Sequence, residues 1–82
     1  MEMVEHIKNL IASRAEVSSD LINDDSRFVG DLGIDSFELM NLLSEIEDIL
    51  GTEINERDIW GLQKFGDIRL FVENVYRIKE GA

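Results

Sequence analysis

No cysteine occurs among the 82 residues, so the chain can form no disulfide, thiolate nucleophile or cysteine-ligated metal site. Proline is also missing, and strand-like alternation, internal repeats and low-complexity tracts are absent. The single histidine, His6, has no serine, cysteine or carboxylate arranged to orient it as a base, so it reads as a surface side chain. No P-loop and no glycine-rich dinucleotide fingerprint is present. Asp24, Asp25, Asp31 and Asp35 miss the EF-hand offsets, so no dedicated metal site is expected, only weak divalent binding to an acidic surface. No catalytic residue is expected either, because nothing suggests a cavity with convergent polar groups. No apolar run approaches a membrane span, and the N-terminus lacks a basic-then-apolar signal pattern. The expectation is a soluble cytoplasmic protein without stable membrane insertion.

Positive charge is scarce as well. Eight Lys and Arg stand against eighteen Asp and Glu, a formal net charge of −10. Residues 28–56 hold no Lys or Arg but carry Asp31, Asp35, Glu38, Glu45, Glu47, Asp48, Glu53 and Glu56. Such a field repels nucleic acid and anionic membrane, and it speeds encounter with basic protein surfaces. The hydrophobic content of 44% suffices for one core, so residues 1–82 are expected to form a single domain and a monomer.

The periodicity is helical throughout. Val4, Ile7, Leu10 and Ile11 predict a first helix over residues 3–14, with Met3 extending its stripe. Residues 15–34 show no sustained period and predict a long loop pinned by Val17, Leu21, Ile22, Phe28, Val29 and Leu32. Ser19 and Asp20 can start one helical turn there that tucks Leu21 and Ile22 inward. A segment of this length in a compact domain is usually functional. Leu39, Leu42, Leu43, Ile46 and Leu50 predict the strongest helix, over 36–50, ended by Gly51. Asn55 can cap a short third helix whose apolar side is Ile59, Trp60 and Leu62, with Trp60 as a core or half-buried anchor. Gly61 and Gly66 bracket a connector, and Ile68, Phe71, Val72 and Val75 predict a last helix over 67–78 before a frayed tail. The expected fold is all-α: a small four-helix bundle of three longer helices and one short third helix, with a long loop between the first two.

The junction into the second helix draws the eye. Asp35 can cap it by accepting from the amide of Glu38, and Glu38 can reach back to the amide of Asp35, which is a capping box. Ser36 then occupies the first helical position, where its hydroxyl need not serve the backbone. A phosphate ester there would lie beside free N–H groups and the positive end of the helix dipole. A polar first-turn residue or an alternative cap explains the same serine. Phe37 and Met40 point away from the apolar stripe, either to pack on the loop and fill a gap or to contact a partner.

The run Asp31-Leu32-Gly33-Ile34-Asp35-Ser36-Phe37-Glu38-Leu39 resembles the phosphopantetheine attachment motif of acyl carrier proteins, D-L-G-x-D-S-[LF], and the similarity spans nearly the whole chain. The resemblance implies that Ser36, flanked by Asp35 and Phe37, carries 4′-phosphopantetheine donated from coenzyme A by a phosphopantetheinyl transferase. An acyl group would then ride on the terminal thiol as a thioester. It implies a cargo cavity lined by Phe28, Leu42, Ile46, Leu62, Ile68 and Val72. It also implies docking to basic surfaces of acyl-transferring synthases or ligases through Phe37, Glu38, Met40, Asn41, Glu45, Glu47 and Asp48.

Phe37 and Asn41 depart from the fatty-acid carriers, while Asp35-Ser36-Phe37 and the tryptophan in Arg57-Asp58-Ile59-Trp60 look more like D-alanyl carrier proteins and other specialised carriers. Three readings therefore stand: an acyl carrier of fatty acid, lipid or specialised acyl-chain biosynthesis, an aminoacyl carrier, and a cofactor-free acidic helical adaptor for a basic protein.

Overall fold

The computed structural model describes residues 1–81, with side chains through Ile78. Four α-helices follow in order: α1, Glu2–Ala15; α2, Ser36–Leu50; α3, Glu56–Trp60; and α4, Phe65–Gly81. A single 3-10 turn, Ser19–Leu21, interrupts the loop after α1, and no strand forms among the described residues. This is the expected small helical bundle. The tail expected to fray from residue 80 is helical through Gly81, while Ala82 lies outside the described residues. At its other end α4 begins two residues earlier than the periodicity predicts, because Asp67 Oδ2 accepts from the amides of Gln63 and Lys64 and caps the turn.

One core holds the bundle together. Val4, Ile7 and Ile11 of α1 meet Leu42, Leu43, Ile46 and Leu50 of α2, and Ile68 and Val72 of α4. The six residues expected to line a cargo cavity are all buried in this cluster.

The long loop is sealed to the far connection by backbone hydrogen bonds. Phe28 N donates to Gln63 O at 3.1 Å, and Phe65 N donates to Ser26 O at 2.9 Å. Buried Ser26 turns its hydroxyl to accept from Asn23 N. Phe28 is fully enclosed, but its neighbour Val29 is exposed. The 3-10 turn leaves Leu21 exposed, and Ile22, which follows it as C-cap, is buried, correcting the expectation that both point inward. The backbone becomes extended at Ile22, so its side chain leaves in a different direction from that of Leu21.

Two further contacts escape periodicity altogether. Gly66 falls inside α4, not in a connector, and its amide donates to Asp24 O at 2.9 Å. A Cβ at Gly66 would lie 2.8 Å from that same oxygen, so only glycine permits the approach. Arg69 then grips the Asp24 carboxylate through Nε and Nη2, both at 2.9 Å. These hydrogen bonds hold the Asp24 carboxyl below its ordinary range, against the opposing pull of desolvation.

Candidate functional site

The approach to Ser36 is built by the loop closing on itself. Asp31 N and Leu32 N both donate to Arg27 O, Asp31 Oδ2 accepts from Arg27 N, and Ile34 N donates to Phe28 O. Gly33 lies at φ 68°, in the left-handed region that suits glycine, and turns the chain toward α2. Ile34 is buried, which fixes the base of the turn, while Asp35, Ser36 and Phe37 are exposed.

Asp35 is the N-cap of α2, with Oδ1 accepting from Glu38 N at 2.7 Å. The expected return bond from Glu38 to the Asp35 amide is not made, because the Glu38 carboxylate turns to Arg14. Ser36 therefore occupies the first helical position with its hydroxyl unpartnered among the described residues. The amides of Ser36 and Phe37 are likewise left open at the positive end of the helix. An exposed hydroxyl beside free N–H donors can form a phosphodiester whose negative charge this end of the helix favours.

The neighbouring surface of α2 divides into two strips. Phe37, Met40, Asn41, Ser44 and Asp48 recur at three- and four-residue spacing, all exposed, with Phe37 at 77% and Met40 at 47%. Neither apolar side chain packs on the loop or fills a gap. Beside this strip, Arg14 from the last turn of α1 donates to Glu38 Oε1 at 3.0 Å and also to Glu45 Oε1. Glu45 and then Glu38 hold the guanidinium more firmly charged than usual. Glu47 Oε2 accepts from Ile54 N at 2.9 Å and so secures the α2–α3 connection. Of the expected docking carboxylates, only Asp48 has no partner among the described residues.

Trp60 corrects another expectation. It is neither core nor half-buried but 74% exposed, because Leu62 and the partly buried Ile59 take the inward positions around a single helical turn. The structure thus brings Asp35, Ser36 and Phe37 together at one exposed corner and leaves Trp60 off the core. Sequence reading missed Arg14. The available signal was a lone cation in the last turn of α1 facing a helix with none. No metal-binding group of His, Asp or Glu side chains forms among the described residues.

A helical bundle with an unencumbered serine opening its second helix defines a class of small attachment domains, and comparison with known proteins agrees. Residues 5–72 match the family model described as the phosphopantetheine attachment site. The chain is 36% identical over 73 residues to an acyl carrier protein of Solidesulfovibrio magneticus, covering 89% of this chain and 94% of that one. A solved structure of the acyl carrier protein from Enterococcus faecalis superposes with a TM-score of 0.75 at 26% identity, covering 90% of each chain. The chain belongs to the acyl carrier protein family, whose prosthetic group is covalently bound 4′-phosphopantetheine. Proteins of this family are carriers rather than catalysts and work with transferases and synthases. Among the described residues no helix is long and apolar enough to cross a membrane.

Proposed function

We propose that Ser36 Oγ is the attachment point of the phosphopantetheine arm, with Asp35 and Phe37 framing it for the modifying enzyme. The observation that carries this reading is the exposed, unpartnered hydroxyl at the first position of α2, released from capping by Asp35. When bound, the arm supplies a terminal thiol that holds an acyl group as a thioester. The protein presents that thioester to partner enzymes of fatty acid, lipid or specialised acyl-chain biosynthesis. Residues 1–82 act as one monomeric carrier domain in the cytoplasm, built on the single core that α1, α2 and α4 share. The chain's own residues keep Ser36 exposed, favour the diester's charge through the open amides of α2, and offer Phe37 and Met40 as contact surface.

The test is incubation with coenzyme A and a broad-specificity phosphopantetheinyl transferase, read by intact mass. One phosphopantetheinyl group is expected on the native chain and none on Ser36→Ala. Modification at another residue, or none on the native chain, overturns the assignment.

A further inference from the structure

Three of the four carboxylates on α2 already have partners within the chain. Glu47 serves the Ile54 amide, and one guanidinium holds Glu38 and Glu45, seven residues apart along the side of α2. Arginine suits this, because its planar fork presents several donors to two carboxylates at once. What α2 leaves open is an apolar ridge of Phe37 and Met40 next to Ser36 and, in its last turn, a single unpaired carboxylate, Asp48.

Resting on the assignment of Ser36 as the attachment residue, we propose that Arg14 is a specificity-determining residue of the docking surface. By occupying Glu38 and Glu45 it matches α2 to enzymes that receive Phe37 and Met40 in an apolar pocket with a sparse basic rim. Enzymes that depend on a continuous row of carboxylates are disfavoured. The occupant is an enzyme surface rather than a second copy of the chain, since two molecules of charge −10 repel. The ridge is also continuous with the serine that such an enzyme must reach.

Competition is the mechanism. The Arg14, Glu38 and Glu45 side chains keep 33%, 36% and 39% of their exposure, so water screens the pairs and a cation on the enzyme can displace Arg14. Arg14 holds each glutamate through Oε1 alone, so such a cation either displaces it or shares the carboxylate with it, and in both cases gains less than from a free one. Removing Arg14 frees two carboxylates and raises the attraction between this surface and a basic one.

The experiment follows the rate of phosphopantetheinylation by the same transferase and coenzyme A across a salt series, with circular dichroism verifying the fold of each variant. Arg14→Gln is expected to raise kcat/KM about two- to fivefold at low ionic strength and to steepen its fall with salt. Arg14→Lys, which keeps the charge without the fork, is expected to rise less. Glu38→Gln combined with Glu45→Gln should slow modification more in the Arg14→Gln background than with Arg14 present, a coupling that a merely structural ion pair would not give. An unchanged rate and salt slope for Arg14→Gln, or equal losses in the two backgrounds, would overturn the role of Arg14 while Ser36 remains modified. Failure of the native chain to be modified at Ser36 overturns both.

Discussion

Asp35 takes the capping of α2, a task that a serine at a helix start often performs, and leaves Ser36 free of it. Because the aspartate carboxylate satisfies the Glu38 amide at 2.7 Å, the serine hydroxyl is left for chemistry. The energetic weight of that cap can be measured. Asp35→Ala removes the cap without touching the core, so unfolding in urea should show a loss of about 1 kcal/mol with an unchanged m-value. A loss well below this would mean that the first turn of α2 does not need the aspartate. Gly33 supports the same corner from the other side, since its φ of 68° is strained for any side chain bearing a Cβ.

Elements differ sharply in what anchors them. α2 carries its own apolar stripe, whereas α3 is five residues long and is held by the Asn55 cap, by Ile54 and Leu62 at its flanks, and by Glu47 reaching across from α2. Trp60 ends that short helix in water. As the only tryptophan in the chain, it reports directly: its fluorescence should be that of a hydrated indole, quenched by neutral acrylamide nearly as readily as a free tryptophan derivative. Trp60→Ala should change stability by no more than about 0.5 kcal/mol. Protection from acrylamide in the isolated protein would contradict the exposed placement.

For the molecule as a whole, charge works against compactness. Eighteen acidic and eight basic side chains leave a self-repulsion that ion pairs such as Arg14 with Glu38 and Arg69 with Asp24 only partly offset. These pairs are exposed and individually weak. Screening should therefore stabilise: raising sodium chloride from low to physiological ionic strength should increase the melting temperature. A decrease would show that attractive pairs outweigh the net repulsion.

The sequence by itself determined the helical periods, the bounds of α2, the Asp35 cap and the motif around Ser36, because each rests on neighbours within about four residues along the chain. The bond from Arg14 to Glu38 spans 24 residues, and the bond from Arg69 to Asp24 spans 45. The contact of Gly66 with Asp24 and the exposure of Trp60 are set in the same way, by which elements meet. Only the tertiary structure could decide them, since local spacing carries no record of a partner so far along the chain. The acidic stretch shows the difference most clearly: its charge could be counted in advance, but which carboxylates of α2 remained free depended on a cation brought over from α1 and on the Ile54 amide that Glu47 serves.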